Sequence, residues 1–364
     1  MNRIILVNAT SATIGGSLTI LNQFIENLDS NLDKNKKYYI FVPVTSNFKS
    51  SNNVVIVPIK AKKYFDRIKW DLYGIRKWCR TRNIKPNLIV SLQNTASLFG
   101  NVPQIIYLHQ PLPYAKESSW SLLKRDERKL WFYKYVYKIW INCTIKKSHY
   151  IIVQTKWMKD SVIKSGYSKK RIIVCKPEIN NIEIDNIQCV DKGNKKFLFY
   201  PAADYKYKNH NVIIEAVKEL SISNDECIKD LRIFFTLNKN SRIYDKIVNY
   251  GLEENIKFLG TLKYEEVLSY YKSSDVILFP SYIETFGLPL IEASCFGKKI
   301  LVSNCNYAKE VLNGYSIVNY IKYDDVSAWR QAIVESMEAY KEKPNICSNN
   351  DGWKQIFNLI EKLL

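Results

Sequence analysis

The feature that most constrains the fold of this chain is a regular alternation of short apolar runs with longer amphipathic stretches in both halves. The apolar runs predict strands near residues 3–8, 38–45, 53–59, 88–92, 104–109, 150–154, 171–176, 196–201, 231–237, 256–260, 276–280, 298–303 and 316–319. The amphipathic stretches predict helices near residues 17–29, 64–82, 119–147, 156–165, 209–221, 241–250, 264–273, 288–296 and 324–341. Strands separated by helices pair in parallel through right-handed crossovers. The sequence therefore predicts an α/β protein with two doubly wound parallel sheets.

The boundary between the two sets is a polar stretch without periodicity, residues 178–194, which is typical of a linker. We predict an N-terminal domain over residues 1–180 and a second domain over residues 181–345. The length of 364 residues is compatible with two or three domains of about 100–200 residues each. An amphipathic pattern within residues 346–364 predicts one more helix at the end of the chain.

The net positive charge of the chain comes from its first half. Residues 1–180 contain 31 lysines and arginines against 10 acidic residues, whereas residues 181–364 contain 23 against 25. Such an asymmetry predicts that the first domain faces a polyanion, either a membrane surface or a nucleic acid. No recognisable nucleic-acid-binding motif accompanies the charge, so we expect no nucleic-acid partner.

Two stretches carry most of this charge. Residues 60–85 contain ten lysines and arginines, and residues 119–147 interleave cations with seven aromatic side chains. A basic helix rich in aromatic residues is typical of a membrane interface, where rings lie at headgroup level and cations meet anionic lipid. The alternative is a core helix whose rings pack inward and whose lysines are merely solvated.

The sequence also predicts a cytoplasmic protein. A strand begins at Arg3 with no signal-peptide pattern before it, and no run of about 18 apolar residues is present. The eight cysteines form no CxxC pair, so we expect small buried side chains of a reducing compartment.

The most informative local motif follows the apolar run 276–280. A helix can begin at Leu288, with Pro289 in its first turn, and end at Gly297. Strand, loop and helix would bring Glu284, Glu292 and free backbone amides to the carboxyl edge of a sheet, where open α/β folds bind ligands. We expect Glu284 to accept hydrogen bonds from a polyol and Glu292, predicted in the first helical turn, to hold a ribose diol. Each acid taken alone is also explained by dipole compensation or by solvation.

The segment PSYIETFGLPLIEASCFGKKILVSN resembles the E-x7-E signature of retaining glycosyltransferases of family 4 (group 1). This resemblance implies the GT-B fold, in which two Rossmann-like domains face each other across a cleft and the last helix crosses back to the N-terminal domain. It implies that Glu284 holds the donor sugar, and it implies donor-binding roles for Phe286, Gly287, Leu288 and Glu292.

The resemblance extends to three further positions. Gly15 and Gly16 follow the first strand, where the family has a glycine loop over the donor diphosphate, and they join the candidate donor-binding residues. His109 ends another strand, at the place of a family histidine that contacts the donor sugar. Lys208 matches the family lysine on the donor diphosphate. With Glu284, His109 and Lys208 form the candidate catalytic set.

The chain departs from the family pattern at the arginine that normally precedes this lysine. Residues 201–203 read Pro-Ala-Ala instead. An ammonium does not replace the bidentate guanidinium equally, so Lys206 is a tentative substitute, with a solvated loop lysine as the slightly favoured alternative.

Together these features predict an enzyme that moves a hexose or deoxyhexose from a nucleotide-diphosphate sugar to a polyprenyl-diphosphate-linked saccharide, with retention of anomeric configuration. The pattern is similar to that of bacterial O-antigen, lipopolysaccharide and capsule enzymes. We expect a protein peripheral to the inner face of the plasma membrane, with no cofactor, and no metal because no D-x-D pair occurs. The alternatives are a basic binding module for nucleic acid or membranes without catalysis and a GT-B nucleotide-sugar epimerase.

Overall fold

The computed structural model describes residues 3–13, 15–30, 33–61, 64–117, 119–179, 182–223, 225–338 and 352–364. The chain divides into two compact units. Unit 1 contains Met1–Glu178 together with Asn349–Leu364, and unit 2 contains Ile179–Ser348.

Unit 1 is built on a seven-stranded parallel sheet with the strand order β3-β2-β1-β4-β5-β6-β7. The strands are β1 (Arg3–Asn8), β2 (Lys36–Pro43), β3 (Val54–Ile59), β4 (Leu88–Ser91), β5 (Gln104–Leu108), β6 (Tyr150–Val153) and β7 (Ile172–Val174). The central strands are buried along nearly their whole length, as in parallel sheets covered on both faces. Their helices are α1 (Gly16–Ser30), α2 (Tyr64–Lys69), α3 (Ile75–Thr81), α4 (Arg128–Trp131), α5 (Tyr137–Ile145), α6 (Lys156–Lys164) and, near the end of the chain, α13 (Gly352–Leu363).

Two π-helical turns interrupt the helices of unit 1. Trp70–Gly74 joins α2 to α3, and Phe132–Val136 joins α4 to α5. The helix predicted from residue 119 is wrong at its start, because helix begins only at α4. The loop before it is held by local bonds: the Ser121 N–H donates to Glu127 Oε2 at 2.7 Å, and Arg128 Nε donates to the Leu122 carbonyl oxygen at 3.1 Å. Such side-chain bonds to the backbone compete with helix formation.

Unit 2 contains a six-stranded parallel sheet with the order β10-β9-β8-β11-β12-β13. The strands are β8 (Lys196–Tyr200), β9 (Leu231–Phe235), β10 (Ile256–Phe258), β11 (Val276–Phe279), β12 (Lys299–Ser303) and β13 (Val318–Ile321). The helices are α7 (His210–Ile222), α8 (Arg242–Asn249), α9 (Tyr264–Ser273), α10 (Leu288–Cys295), α11 (Asn306–Val311) and α12 (Val326–Glu335). The prediction of two doubly wound, Rossmann-like sheets is confirmed.

The strand order reverses once in each sheet. In unit 1 β1 lies between β2 and β4, and in unit 2 β8 lies between β9 and β11. The connections after these neighbouring strands leave towards opposite faces, which opens a crevice at the carboxyl edge. The fold therefore places a ligand-binding edge at β1/β4 in unit 1 and at β8/β11 in unit 2.

Helix α13 packs into the core of unit 1. Trp353, Phe357 and Ile360 are buried in the same apolar cluster as residues of β1 and α1. The ring of Phe357 stacks on Phe24 with centroids 5.6 Å apart, and the indole N–H of Trp353 donates to Gln23 Oε1 at 3.1 Å. The end of the chain is thus part of the N-terminal core, whereas the predicted stretch 346–351 before this helix lies outside the described residues.

The cysteines differ from the sequence expectation. Cys143 and Cys189 are exposed, and Cys295 is disulfide-bonded. The expectation of buried side chains is wrong for Cys143 and Cys189, and Cys227 is half-buried. The disulfide at Cys295 does not fit a set of free thiols, and Cys347 lies outside the described residues. Cysteine burial and pairing depend on how the elements pack, which the spacing of cysteines in the sequence does not report.

Candidate active site

The carboxyl edge of the unit 2 sheet brings Lys208 and Glu284 together. Lys208 ends a single 3-10 turn, Lys206–Lys208, after β8, and Glu284 lies in the loop after β11. Their side chains form an ion pair in which both are mostly buried, with 17% and 15% of their surface exposed. Strands β8 and β11 are neighbours in the sheet, which is why residues 76 positions apart meet here.

The surroundings fix both members of this pair. Ser281 Oγ donates to Glu284 Oε1 at 2.9 Å. The Tyr200 hydroxyl, at the end of β8, donates to the Lys208 carbonyl oxygen at 2.7 Å. The Lys208 ammonium also lies 5.7 Å from the ring centroid of Phe279. A cation and a carboxylate are therefore presented on rigid supports at the reversal of strand order.

The start of helix α10 presents unpaired backbone donors. Gly287 is in the left-handed region with φ +88° and directly precedes the helix, and Pro289 occupies the first turn, as the sequence predicts. Within the described part of unit 2, the N–H groups of Phe286, Gly287 and Leu288 donate to no acceptor. Successive free amides at the positive end of a helix form a site for an anion.

The side chain of Phe286 is 3% exposed and packs inward. Phe286 can therefore serve a ligand only through its backbone, while its ring anchors the loop in the core.

Glu292 lies one turn later than expected. It is the fifth residue of α10, so it belongs to the second helical turn and not to the first. Its carboxylate accepts a hydrogen bond from the Tyr264 hydroxyl at 3.3 Å, whereas the Tyr271 hydroxyl donates to the Pro289 carbonyl oxygen at 3.3 Å. Burial raises the pKa of the Glu292 carboxyl, while the nearby hydroxyls of Tyr271 and Tyr264 lower it. The side chain is half-buried and accepts from one neutral donor, which leaves it able to accept from a diol.

Lys206 opens the 3-10 turn that Lys208 ends, and its side chain is exposed. At the position of the absent arginine, the Ala202 N–H donates to Thr236 Oγ1 at 3.0 Å, and Ala203 is exposed. The structure therefore pairs Lys208 with Glu284.

Unit 1 carries the glycine loop at the end of β1. Gly15 has φ +60° and Gly16 begins α1, and a side chain at either position would meet nothing within 4 Å. The Gly15 carbonyl oxygen accepts from the N–H of Leu18 at 2.9 Å and of Thr19 at 3.1 Å, so the loop closes onto the helix. Both glycines are exposed at the predicted ligand-binding edge of unit 1.

His109 directly follows β5 at the same edge. Its backbone N–H donates to Asn94 Oδ1 at 2.7 Å, and Asn94 adopts a left-handed conformation with φ 72° in the loop after β4. Burial lowers the pKa of the His109 imidazole to about 4, so the ring is neutral near pH 7. Sequence reasoning missed Asn94, although an Asn two residues beyond an apolar strand is a known signal for a left-handed turn.

The basic segment of unit 1 differs from the predicted membrane-facing helix. Its rings lie largely inward: Trp120 and Tyr137 are buried, and Phe132, Tyr133 and Trp140 pack against the core. The exposed apolar side chains are those of Leu122, Leu123, Tyr135, Val136 and Ile139, with 51%, 89%, 39%, 40% and 64% of their surface exposed. Lys124, Arg125, Arg128 and Lys129 are exposed beside the two leucines in sequence.

Among the described residues, no group of three or more His, Cys, Asp and Glu side chains could hold a metal ion. In the same part of the chain, no helix combines the length and the apolar character needed to cross a bilayer.

The tyrosines around Glu292 were also missed by sequence reasoning. Tyr264 begins α9 and Tyr271 lies seven residues later on the same helix, and their hydroxyls donate to Glu292 and to the Pro289 carbonyl oxygen of the neighbouring α10. Their spacing of two helical turns places them on one face, but only the packing of α9 against α10 shows which acceptors they meet.

Comparison with known proteins gives the chain a family context. Residues 182–352, which cover nearly all of unit 2, match the family model described as "Glycosyl transferases group 1". Among curated proteins, the O-antigen chain mannosyltransferase RfbU of Salmonella typhimurium is 23% identical over 241 residues. That alignment covers 65% of this chain and 65% of RfbU, slightly less than two thirds of its length.

Two further proteins are similar over almost the whole chain. An uncharacterised 41.2 kDa protein from the cps region of Klebsiella pneumoniae is 22% identical, covering 94% of this chain and 93% of its own. The solved structure of Anabaena HepE in complex with UDP and glucose has a TM-score of 0.66 at 15% identity, covering 100% of this chain and 99% of its own. At this identity the structural likeness shows the fold alone, which is that of the GT-B glycosyltransferases.

Proposed function

We propose that this protein transfers a sugar from a nucleotide-diphosphate donor to a lipid-linked saccharide. Residues 182–352 match the family model described as "Glycosyl transferases group 1", and the chain has the GT-B fold. The observation that carries the proposal is the edge of unit 2, where the Lys208–Glu284 pair and three free amides follow neighbouring strands. We further propose that the donor is a hexose or deoxyhexose nucleotide and that transfer retains the anomeric configuration.

The donor diphosphate is assigned to the positive groups of this edge. Lys208 supplies one full charge, and the N–H groups of Phe286, Gly287 and Leu288 supply oriented dipoles at the start of α10. In this proposal the free amides take over the diphosphate contacts that the family arginine, absent from residues 201–203, would make. As the donor bond breaks, charge develops on the leaving diphosphate, and pre-oriented donors stabilise it without reorganisation.

The carboxylates are assigned to hydroxyl groups of the donor. Glu284, held by Ser281 and Lys208, accepts from the sugar hydroxyls. Glu292, held by the Tyr264 hydroxyl, accepts from the ribose diol. The neutral imidazole of His109 accepts or donates one hydrogen bond but carries no charge near pH 7, so we assign it to positioning of a hydroxyl.

The acceptor is assigned by analogy and by charge. RfbU is named as an O-antigen mannosyltransferase, and the Klebsiella relative is named for its cps region. The first 180 residues carry 31 basic against 10 acidic residues, and Leu122 and Leu123 are exposed among cations. These features support a polyprenyl-diphosphate-linked saccharide at an anionic membrane, with the protein peripheral to the inner face of the plasma membrane. We also propose that the chemistry needs no metal or cofactor.

The test is transfer of radiolabelled sugar from UDP-glucose, UDP-galactose, GDP-mannose or dTDP-rhamnose into a lipid extract of bacterial membranes. We expect organic-phase label from one donor, a product with the donor's anomeric configuration, and at least about a hundredfold loss in Glu284→Gln. Glu254→Gln, which alters an exposed acid of unit 2, is the matched control. If no donor gives lipid-linked label with the wild type, or if Glu284→Gln transfers as fast, the proposal is wrong. Conversion of a donor sugar without acceptor would instead establish the epimerase alternative.

A further inference from the structure

A buried carboxylate lies beneath the ligand-binding edge of unit 1. Asp71 belongs to the π-helical turn Trp70–Gly74 and is 3% exposed. No role for it follows from the family motifs discussed above. π-helical turns are rare and occur frequently at functional sites, so this residue invites a functional explanation.

Three neutral donors satisfy this carboxylate. Asp71 Oδ1 accepts from Asn8 Nδ2 at 2.8 Å and from Gln93 Nε2 at 2.7 Å, and Oδ2 accepts from Thr95 Oγ1 at 2.7 Å. Thr10 Oγ1 completes the cluster by donating to Gln93 Oε1 at 2.8 Å. Every one of these partners lies at or just beyond the end of β1 or β4. One side chain from outside the sheet thus joins the two strand ends between which the strand order reverses.

The connection continues to His109. Asn94 lies between Gln93 and Thr95, which both donate to Asp71, and its Oδ1 accepts from the His109 N–H. The Asp71 carbonyl oxygen accepts two more bonds from the same loop, from Leu98 N–H at 3.0 Å and from Ser97 Oγ at 3.1 Å. The ends of β1, β4 and β5 are therefore held by contacts that converge on Asp71.

A carboxylate is a costly residue for this place. It is buried and forms no ion pair within the described part of the chain, and desolvation of such a charge is unfavourable even when it accepts hydrogen bonds. In exchange, its hydrogen bonds become roughly twice as strong when the carboxyl is ionised. Bonds to Asn8 at the end of β1 and to Gln93 and Thr95 after β4 suit a role in holding these segments still.

We propose that Asp71 is a positioning residue for sugar transfer, whose buried carboxylate fixes the loops after β1, β4 and β5 so that Gly15, Gly16 and His109 keep their places at the edge of unit 1. Asp71 touches no substrate in this role and acts only through Asn8, Gln93 and Thr95. The loop-fixing part stands on the geometry of unit 1 alone, whereas the link to transfer rests on the proposed function.

The experiment compares Asp71→Ala, Asp71→Asn and Thr95→Val with the wild type by amide hydrogen exchange and by the lipid-extract transfer assay. We expect Asp71→Ala to speed exchange at least about tenfold in peptides covering residues 8–17 and 92–110, and to leave β6, β7 and unit 2 unchanged. Turnover should fall at least about tenfold, and the donor KM should rise as well because Gly15 and Gly16 are candidate donor-binding residues. Asn keeps the shape and one acceptor, so Asp71→Asn should restore part of both losses.

Asp160→Ala, at an exposed acid of α6 in the same unit, is the matched control. Thr95→Val removes a single donor and carries the test if Asp71→Ala does not fold. Unchanged exchange in the two loop peptides, or equal acceleration throughout unit 1, would overturn the positioning role. Wild-type protein that transfers no sugar would refute the proposed function instead, and the exchange result would still decide the loop-fixing part.

Discussion

At the scale of single residues, the proposed activity rests on charges that are held in place by neighbours. Lys208 and Glu284 pair at the edge of unit 2, and Glu292 accepts from the Tyr264 hydroxyl. Sequence reasoning singled out the two acids from the strand, loop and helix pattern, and Lys208 from the family resemblance. It could not find Tyr264, Tyr271 or Asp71, because the partners of a side chain depend on how elements pack.

Replacement of Lys208 by alanine should lower both the affinity for the donor and the stability of the fold. The variant removes the charge assigned to diphosphate and leaves Glu284 mostly buried without its cation. We expect at least about a tenfold loss of donor affinity and about 1–3 kcal/mol lower unfolding free energy, discounted for partial exposure. Calorimetric titration and urea unfolding measure these two quantities. Lys246→Ala, which breaks the similar but more exposed pair with Glu215, should cost less than about 1 kcal/mol and leave the donor affinity unchanged.

The pH dependence of the unfolding free energy should reveal the titration of the Asp71 carboxyl. Burial raises the pKa of its carboxyl from 3.8 to about 7, against the smaller lowering effects of Thr95, Asn8, Gln93 and the charge of Arg67. Between about pH 4 and pH 7 the folded protein therefore holds a proton that the unfolded chain has released, so the Asp71 contribution to stability declines as pH rises. The unfolding free energy of the wild type relative to Asp71→Asn should fall by up to roughly 1.4 kcal/mol per pH unit across this range. A difference that is constant from pH 4.5 to pH 8 would contradict a titrating Asp71.

At the scale of elements, the loop and helix after β11 are largely predicted by the sequence. Pro289 near the helix start and Gly297 after its end predict α10 to within one residue. The helix start at Leu288 was predicted correctly, but Glu292 is the fifth residue from that start and therefore lies in the second turn, not in the first. The helix predicted from residue 119 failed for a different reason, since the Glu127 side chain captures the Ser121 amide and folds the preceding loop.

Gly287→Ala should test whether the start of α10 requires glycine. A Cβ at this position would lie 3.3 Å from Leu290 Cδ1, and its φ of +88° is strained for any other residue. We expect a loss of about 1–3 kcal/mol in unfolding free energy, together with weaker donor binding because the free amides move. Gly314→Ala has nearly the same φ, +85°, but open space around it, so it should show the conformational cost alone. Equal effects of both variants on donor binding would count against the amide site.

At the scale of the whole molecule, sequence and structure agree on two parallel α/β sheets but not on what faces outward. Alternating strands and helices predicted both sheets because parallel pairing needs crossovers. The packing of α13 into unit 1 was implied only by the family resemblance, since an amphipathic pattern does not specify its partner. The exposed apolar residues of the basic segment could not be predicted, because aromatic rings and leucines look alike in periodicity.

The charge of unit 1 should produce binding to anionic membranes. We expect the protein to sediment with phosphatidylglycerol vesicles and not with phosphatidylcholine vesicles, and to be released by salt. Replacing Leu122 and Leu123 by serine should weaken vesicle binding several-fold with little change in stability, because both side chains are already exposed. Ile222→Ser, at an exposed apolar residue of unit 2, should not weaken it. Stronger binding to oligonucleotides than to these vesicles would favour the nucleic-acid alternative.

The most direct test of the account is a thermal-unfolding panel of UDP, GDP and dTDP with their common sugars, run on the wild type, Glu292→Gln and Glu215→Gln. A ligand that binds only the folded state stabilises it by about 2.7 kcal/mol at a hundredfold excess over its Kd. We predict that one nucleotide stabilises the wild type and Glu215→Gln, and that its effect falls sharply in Glu292→Gln. A panel without any shift in the wild type, or a shift that Glu292→Gln leaves intact, would contradict a donor site at the edge of unit 2.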